Sequence, residues 1–461
     1  MEKTDEGLLG MSHLSRQRDG AGKSVHITTF GCQMNQHDSG IVAGLFKKSG
    51  YLTTDDIEDA DVILFNTCCV RAHAEQRLYS RVSQLKPLKI RKPHLIIGVG
   101  GCVAQREKAA LTDRFPFIDV VFGTNAVADV ISLVERVEQG ERPIIHVPEE
   151  GSAPSSELAA TSDRLRIHAW VSVMRGCDNY CSYCVVPYVR GPQRSKPPDE
   201  ILGNVRSLAS KGVVEVTLLG QNVNSYGQDL DGGVSFSRLL EILNDVSGLL
   251  RVRFTTSHPK DISKELMEAM RDLPKVCEHL HLPVQSGSSR ILERMNRAYT
   301  ADEYVRKVDM LREIVPGISV TTDIIIGFPG ESDDDFEQTR SLVERVQFDG
   351  AYIFKYSSRP GTAAEHFEGK VDEMIIAKRH KALLEFQKSI SIRRLEALAG
   401  SDQCVLAEEY DTTREGRLTG RTRGHRVASF PGDGSQIGKE VSVHIARVSR
   451  WTLVGKGAEA L

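Results

Sequence analysis

Apolar strands that alternate with helical segments constrain the fold of this chain more than any other feature of its sequence. Val25 to Phe30 predicts a first strand, followed by a helix through about Lys48, and the pattern repeats from Asp61 to Asn66 and from His94 to Val99. Continuous apolar strands joined by helices are typical of a parallel sheet that helices cover on both faces. We therefore predict an N-terminal parallel α/β domain over residues 24–147.

The alternation resumes in the middle of the chain, where we predict a second α/β domain over residues 164–395. Its strands are expected near residues 168–174, 214–219, 251–256, 279–283, 318–326 and 350–355. Six strand–helix units are fewer than the eight of a closed parallel barrel. The predicted architecture is therefore an open (β/α)6 part-barrel, with its reactive groups at the carboxyl ends of the strands.

The pattern changes again near the C terminus. A basic helix predicted over residues 376–399 precedes alternating β segments such as Val441 to Val448, which predict a small antiparallel β-barrel over residues 396–461. Residues 1–23 carry mixed charge without periodicity and predict a disordered tail. The Pro/Ser/Ala-rich stretch 148–163 predicts a linker.

Charge and composition limit the compartment and the partners. The 59 Lys and Arg residues against 62 Asp and Glu give a net charge of −3, which excludes a chain that is basic throughout but allows a local nucleic-acid-binding patch. The sequence contains no run of about 18 apolar residues, and its start lacks the apolar core of a secretory signal. We therefore expect a cytoplasmic protein without membrane contact, in which nine cysteines indicate metal binding rather than disulfides.

The strongest site signal is a cluster of three cysteines, the loop triad Cys177, Cys181 and Cys184, directly after the first predicted part-barrel strand. A structural zinc site needs four ligands, and no fourth Cys or His lies nearby in the sequence. Three thiolates suit a four-iron–four-sulfur cluster with one iron left open for a substrate. A zinc loop with a distant fourth ligand is the alternative.

A second set of cysteines, the N-terminal triad Cys32, Cys68 and Cys102, is dispersed in sequence, but each member follows a predicted parallel strand. The carboxyl ends of such strands lie side by side, so the three thiols are expected to converge. The alternative is that they are buried packing residues. We expect Cys69, Cys277 and Cys404 to be structural.

The string Cys-x-x-x-Cys-x-aromatic-Cys after a barrel strand resembles the signature of the radical S-adenosylmethionine superfamily. Together with the N-terminal triad, it narrows the resemblance to the methylthiotransferase family. The organisation of that family matches almost the whole chain: a three-cysteine domain, a radical barrel and a small RNA-binding barrel, the TRAM domain.

Further strings resemble the branch of this family that acts on N6-dimethylallyladenosine in tRNA. They are Gly31-Cys-Gln-Met-Asn35, Leu219-Gly-Gln-Asn-Val-Asn-Ser-Tyr226, Thr256-Ser-His-Pro259, Thr321-Thr-Asp-Ile-Ile-Ile-Gly-Phe-Pro-Gly-Glu331 and Phe354-Lys-Tyr-Ser-Ser-Arg-Pro-Gly-Thr362. The chain departs from the family at Gly40, where glutamate is usual, at Lys196, where arginine is common, and at His425 in the basic C-terminal string.

The resemblance implies two four-iron–four-sulfur clusters and S-adenosylmethionine as cofactors. The loop triad would hold the radical cluster, with Tyr183, Gly220 and Gly327 beside the S-adenosylmethionine, and the N-terminal triad would hold an auxiliary cluster that delivers sulfur. One S-adenosylmethionine would methylate the sulfur and a second would provide the radical, so that a methylthio group joins carbon 2 of the adenine at position 37, next to the anticodon.

The partners implied are the anticodon loop of tRNA and an electron donor similar to flavodoxin or ferredoxin, and a monomer is expected. An anticodon loop can present an unstacked base to a protein. The RNA contacts are predicted from a basic run on the C-terminal barrel, namely Arg417, Arg421, Arg423 and Arg426.

Two alternative functions remain open. Within the family, the substrate could be threonylcarbamoyladenosine in tRNA or an aspartate of a ribosomal protein. From a different class, the chain could be a non-catalytic RNA-binding protein in which zinc replaces both clusters.

Overall fold

The computed structural model describes residues 22–70, 72–149 and 167–460. Residues 22–149 form a six-stranded sheet with helices on both faces. Its strands are β1 Ser24–Phe30, β2 Leu52–Thr53, β3 Val62–Thr67, β4 Ile96–Gly101, β5 Val120–Phe122 and β6 Ile144–His146. Its helices are α1 Gln33–Lys48, α2 Ala72–Gln84, α3 Lys86–Arg91, α4 Cys102–Glu107, α5 Ala110–Arg114 and α6 Val130–Glu138.

All six strands are parallel and follow the order β2-β1-β3-β4-β5-β6. Successive side chains of β3 enter different cores, since Ile63 and Phe65 pack with α2 while Val62 and Leu64 pack with α1 and α6. The predicted parallel sheet is confirmed. Most of the predicted tail 1–23 and linker 148–163 lies outside the described residues, and the domain boundaries stay predictions.

Residues 167–396 form the second α/β unit. Its strands are β7 His168–Ser172, β8 Met174–Arg175, β9 Arg194–Ser195, β10 Glu215–Leu219, β11 Arg251–Thr255, β12 His279–His281, β13 Ser319–Ile326 and β14 Gly350–Lys355. Its helices are α7 Val186–Arg190, α8 Pro198–Ser210, α9 Phe236–Asn244, α10 Lys264–Asp272, α11 Ser289–Arg294, α12 Ala301–Ile314, α13 Asp333–Val346 and α14 Glu373–Glu396.

Six of these strands build the part-barrel that the sequence predicts. β7, β10 and β11 form one parallel sheet, β12, β13 and β14 form another, and a parallel bridge between Val252 and Val276 joins the two. Within the described residues no ladder connects β7 to β14, so the barrel is open along that side. The short strands β8 and β9 pair with each other beside it.

The C-terminal segment forms a closed five-stranded barrel. Its strands are β15 Asp402–Tyr410, β16 Arg417–Thr422, β17 Val427–Pro431, β18 Glu440–Ser449 and β19 Thr452–Ala460, in the order β15-β16-β17-β19-β18. The prediction of a small barrel is confirmed. Its pairs are antiparallel except β17–β19, which is parallel. None of the described helices is long and apolar enough to cross a bilayer.

Charged side chains hold this C-terminal barrel against the amino ends of the part-barrel strands. Arg253, at 4% exposure, donates to Glu215 at 2.9 Å and to the backbone oxygens of Arg423 at 2.8 Å and Thr422 at 2.9 Å. Arg251 is fully buried and donates to Glu440 at 2.6 Å. The C-terminal barrel therefore closes one end of the part-barrel and leaves the carboxyl end for the site.

This interface yields a stability prediction. We expect Arg253→Met to lower the free energy of unfolding by about 3 kcal/mol, because it leaves the buried carboxylate of Glu215 without its nearest partner. The matched control Arg238→Met removes an exposed helix pair with Glu241 and should cost at most about 0.5 kcal/mol. Urea denaturation of the unchanged protein and the two variants measures each free energy of unfolding. An equal, small loss of stability in both variants would contradict the role of Arg253 at the interface.

Candidate functional site

The N-terminal triad lies at one edge of the six-stranded sheet. The register aligns Phe30 with Thr67 and Thr67 with Gly101, so β1, β3 and β4 end at the same level. Each cysteine of the triad follows one of these ends, and the amide of Cys68 donates to the carbonyl of Phe30 at 2.8 Å. The three strand ends therefore lie together as predicted, while the convergence of the three thiols on one cluster stays a prediction.

Two buried asparagines tie these strand ends together. The Asn35 side-chain oxygen accepts from the Cys32 thiol at 3.3 Å, and its Nδ2 donates to Asn66 at 3.2 Å. Asn66 in turn donates to the backbone oxygen of Asn35 at 2.9 Å. Gly101 has φ +88°, and a Cβ there would lie 2.3 Å from the Asn66 oxygen. Glycine is required there because only it adopts this backbone and leaves room for the amide.

The thiols of this triad interact with one another and with a buried cation. A hydrogen bond from the Cys68 thiol, assisted by the charge of Arg190, lowers the pKa of Cys32 to about 5. A hydrogen bond from the Cys69 thiol, again assisted by Arg190, lowers the pKa of Cys102 to about 6. Cys69 packs in the core as expected, but its contact with Cys102 makes it a neighbour of the triad as well.

The loop triad sits on the connection between β8 and α7. Gly176, directly before Cys177, has φ +76°, and a Cβ there would lie 1.9 Å from the carbonyl oxygen of Pro192. The loop is closed by Cys177 N donating to the carbonyl of Gly191 at 3.2 Å. Only glycine fits between these two backbone segments, so this residue fixes the start of the cysteine loop.

Two donors point at sulfur atoms of the loop triad. Asn179 Nδ2 donates to Cys177 Sγ at 3.3 Å, and Arg297 Nη1 donates to Cys181 Sγ at 3.5 Å. Burial, together with the charges of its two companions, raises the pKa of Cys184 to about 12. Three thiolates close together in a buried loop repel one another, so their ionisation requires a cation nearby. The iron of a cluster would provide this positive charge.

The segment around α11 holds the loop triad in place. The amide of Ser182 donates to the backbone carbonyl of Met295 at 3.0 Å, and its hydroxyl donates to the backbone carbonyl of Arg294 at 2.8 Å. Asn296 donates to the carbonyl of Tyr180 at 3.0 Å. Sequence reasoning did not identify this support. In the sequence, the only trace of this support is the Arg-Met-Asn-Arg string at residues 294–297. No local pattern connects that string to cysteines more than 100 residues away.

The residues predicted to touch S-adenosylmethionine divide into two kinds. Tyr183 lies beside the loop triad, where burial raises its pKa well above the usual range. A Cβ at Gly220 would meet Met174 at 2.6 Å, and one at Gly327 would meet Ile376 at 2.3 Å. Packing alone therefore accounts for both glycines, and their contact with a cofactor stays a prediction.

The helix α7 connects the two triads. It begins two residues after Cys184, and the flanking Val185 and its own Val189 pack in the core of the N-terminal sheet. Thr124 of that sheet donates to the carbonyl of Val189 at 2.7 Å. The cysteine loop is thus anchored on the N-terminal sheet at one end and by the α11 segment at the other.

The inner face of the part-barrel is polar and aromatic. His281 accepts or donates a hydrogen bond with Thr321 at 3.0 Å, lies 3.5 Å from Asp323, and contacts the ring of Tyr352 with centroids 6.2 Å apart. Tyr352 and Phe354 share this face of β14 and are 62% and 37% exposed, whereas Ile353 between them packs in the core. Tyr352 and Phe354 therefore form an aromatic wall that is open to solvent.

The arginines predicted to bind RNA are already engaged within the protein. Arg423 pairs with Glu278 at 2.7 Å and Arg426 with Asp349 at 2.5 Å, both across the interface with the part-barrel. Arg417 donates to the carbonyl of Ser429 at 2.6 Å, and Arg421 pairs with Glu408. The basic run is therefore not one solvated patch, because half of its guanidinium groups secure the C-terminal barrel.

The donor sets fit clusters better than single ions. Among the described residues, no three or more His, Cys, Asp or Glu side chains are gathered closely enough to share one metal ion. Each cysteine of a four-iron–four-sulfur cluster ligates a different iron, so three thiols surround the cluster instead of meeting at a point. Two triads, each at strand ends and with N–H donors or cations beside the sulfurs, match this requirement.

Comparisons with known proteins agree with this arrangement. Models of the uncharacterized protein family UPF0004, the Radical SAM superfamily and the TRAM domain match residues 24–123, 171–343 and 397–456. The tRNA-2-methylthio-N(6)-dimethylallyladenosine synthase of Thermoanaerobacter sp. (strain X514) is 47% identical over 453 residues, 98% of this chain and 96% of the relative. The chain belongs to the tRNA-2-methylthio-N6-dimethylallyladenosine synthase family.

Other members of this synthase family are similarly related. The synthase of Caldicellulosiruptor saccharolyticus is 46% identical, and the match covers 95% of this chain and 93% of the relative. The synthase of Moorella thermoacetica is 45% identical, and the match covers 95% of this chain and 98% of the relative. Among solved structures, the radical S-adenosylmethionine methyltransferase TsrM from Kitasatospora setae has a TM-score of 0.53 at 14% identity, covering 75% of this chain and 77% of TsrM. That likeness shows the fold.

A substitution tests the geometry of the cysteine loop. We expect Gly176→Ala to destabilise the fold by about 1–3 kcal/mol and to lower the iron bound by the reconstituted protein, because the methyl group collides with Pro192. The control Gly203→Ala lies on α8 with nothing within 4 Å of its Cβ and should bind iron normally. Denaturation and iron analysis measure the outcome; normal stability and iron content in Gly176→Ala would contradict the geometry.

Proposed function

We propose that this chain is a radical S-adenosylmethionine methylthiotransferase that adds a methylthio group to carbon 2 of N6-dimethylallyladenosine at position 37 of tRNA. The observation that carries the proposal is the presence of two separate cysteine triads joined by α7. The C–H bond at carbon 2 of adenine is unactivated, so a carbon-centred radical is a suitable agent to break it, and the new C–S bond needs a sulfur source. Two sites connected by one helix meet both needs, and the family relationship supports the choice of base.

Each triad has a proposed cofactor. The loop triad would hold the radical cluster, with one iron open toward S-adenosylmethionine near Tyr183, and the N-terminal triad would hold the auxiliary cluster. When bound, the two four-iron–four-sulfur clusters and two S-adenosylmethionine molecules supply the radical, the sulfur and the methyl group. The chain's own part is to position the two sites, to supply N–H donors and cations beside the sulfurs, and to limit access of water.

The substrate base is proposed to enter from the carboxyl ends of the part-barrel strands. The C-terminal barrel closes the amino ends of the strands, where His279 stacks on His425 with centroids 5.0 Å apart. We propose that the base reaches the loop triad from the carboxyl side, along the wall of Tyr352 and Phe354. Aromatic side chains stack on unpaired bases, and these two rings also offer apolar surface to a dimethylallyl group.

The contacts with the tRNA backbone are proposed to lie on the face of the C-terminal barrel that is opposite the part-barrel. Burial lowers the pKa of Arg417, and the nearby charges of Arg414 and Arg447 lower it further. Arg450 and the exposed Trp451 form the tip of the β18–β19 hairpin. We propose phosphate contacts by this cluster, together with the sequence-predicted Arg421. Arg423 and Arg426 are proposed to act indirectly, by fixing the barrel.

The electron donor, the cellular compartment and the oligomeric state are proposed from the same chemistry. Radical cleavage of S-adenosylmethionine consumes one electron, for which we propose a flavodoxin- or ferredoxin-like donor. A tRNA substrate and reduced cysteines suit the cytoplasm. Both triads and the wall come from one chain, so we propose that the protein acts as a monomer.

The division of labour between the triads is directly testable. We expect Cys181→Ala to abolish reductive cleavage of S-adenosylmethionine, because it removes a ligand of the radical cluster. Cys32→Ala should retain cleavage but insert no methylthio group. Cys277→Ala, a buried packing cysteine, is the control and should keep both activities. Chromatography of 5′-deoxyadenosine and mass spectrometry of tRNA nucleosides provide the two readouts; loss of cleavage in both triad variants would contradict the separation of roles.

The aromatic wall has its own test. We expect Tyr352→Ala to raise the KM for dimethylallyl tRNA about tenfold, because it removes a stacking surface, while cleavage of S-adenosylmethionine without tRNA stays normal. Tyr352→Phe keeps the ring and should restore the KM. Steady-state kinetics on both variants decide the point. An unchanged KM in Tyr352→Ala would place the base elsewhere.

A further inference from the structure

Arg297 is a buried arginine whose guanidinium group faces the loop triad. The residue is 7% exposed, and its Nη1 donates to Sγ of Cys181 at 3.5 Å. Its Nε donates to the hydroxyl of Tyr299 at 2.8 Å, and its Nη2 donates to the backbone carbonyl of Pro283 at 2.9 Å. Two of the three guanidinium nitrogens are therefore held by neutral groups, and the third is directed at a sulfur of the triad.

Arg297 lacks the carboxylate that accompanies the other buried arginines of the described chain. Those arginines each pair with a carboxylate at 3.0 Å or less; they are Arg190 with Asp38, Arg251 with Glu440, Arg253 with Glu215 and Arg379 with Glu331. For Arg297, the described residues provide no such partner. Because a buried cation is costly unless an anion accompanies it, the charge of Arg297 calls for an anion at Cys181, the thiol that it contacts.

The backbone around α11 fixes Arg297 in this position. Asn296 follows the helix in the left-handed conformation, with φ +55°. The amide of Asn296 donates to the carbonyl of Glu293 at 2.9 Å, and the amide of Arg297 donates to the carbonyl of Leu292 at 2.9 Å. These are the paired hydrogen bonds of a Schellman motif. Since the side chain of Asn296 also holds the cysteine loop, one turn positions both the loop and the guanidinium group.

We propose that Arg297 is the counter-cation of the radical cluster: it compensates the thiolate charge of Cys181 and raises the reduction potential of the cluster. The inference rests on the proposed function, because it assumes that the loop triad holds a cluster. One electron from the proposed flavodoxin- or ferredoxin-like donor adds one negative charge to the ligated cluster, and no bond forms or breaks in that step. An N–H donor and a positive charge beside a cluster sulfur stabilise the reduced state.

Substitutions separate this charge effect from support of the fold. Arg297→Met removes the charge and should lower the reduction potential, whereas Arg297→Lys keeps the charge and should restore most of it. Tyr299→Phe removes the hydroxyl that accepts from Nε and leaves the charge in place. Arg294→Met removes a cation of the same segment that packs on the ring of Phe367, with 5.3 Å from Cζ to the centroid. Both of these controls should keep the potential of the parent.

The experiment uses the full chain with only the radical cluster present. The background variant carries Cys32→Ala, Cys68→Ala and Cys102→Ala, and it is reconstituted with iron and sulfide without S-adenosylmethionine. A redox titration followed by electron paramagnetic resonance gives the midpoint potential of each variant, while iron analysis and circular dichroism verify loading and folding.

The expected effect is a shift of the midpoint potential. At the midpoint potential of the background variant, we expect Arg297→Met to lower the ratio of reduced to oxidised cluster about tenfold, because a hydrogen bond to a charged group is lost. For a one-electron couple this corresponds to a downward shift of about 59 mV.

Every outcome decides between the two roles. Equal midpoint potentials in the background variant and in Arg297→Met, or an equal downward shift in Tyr299→Phe or Arg294→Met, overturn the counter-cation role and leave the proposed function standing. If Arg297→Met folds but binds no iron, normal iron and potential in Arg297→Lys support the role, and loss of iron there as well overturns it. A folded background variant that binds no iron refutes the radical cluster and the proposed function with it.

Discussion

The parallel arrangement of strands is the constraint on which the rest of this structure depends. Parallel strands bring all their carboxyl ends to one edge, and the chain places three cysteines just past such ends in the first sheet and three more after the first strand of the part-barrel. Helix α7 then packs on the first sheet and so connects the two edges. The N-terminal triad needs no local sequence clustering to form, because the topology assembles it, whereas the loop triad comes from one short loop.

A second constraint is the set of buried arginine contacts that closes the amino end of the part-barrel. The arginines of β11 bury themselves against the C-terminal barrel and pair with carboxylates and backbone carbonyls there. A single buried guanidinium without such partners would be strongly unfavourable. The interface therefore orients the C-terminal barrel on the part-barrel, and in the proposed function this orientation would set the direction from which a base approaches the carboxyl end.

The sequence predicted the local features well and the distant partners poorly. Hydrophobic periodicity located the six strands of the part-barrel and three strands of the N-terminal sheet within about two residues, but it missed the short strands β2, β5 and β6. The predicted strand ends explained the dispersed cysteines. The sequence did not show that Arg423 would pair with Glu278, 145 positions away, or that Arg190 would enter the N-terminal sheet. A run of arginines indicates positive charge, but which carboxylates neutralise it depends on tertiary contacts. For the same reason, the parallel β17–β19 pair was not foreseen.

The central claim is that this chain inserts a methylthio group into a dimethylallyl-bearing adenosine. The most direct measurement is mass spectrometry of nucleosides from tRNA incubated with the reconstituted protein, reductant and S-adenosylmethionine, using one tRNA with N6-dimethylallyladenosine and one with threonylcarbamoyladenosine. We expect the 2-methylthio product from the dimethylallyl tRNA. A product from the threonylcarbamoyl tRNA alone, or no product from protein that holds both clusters, would contradict it.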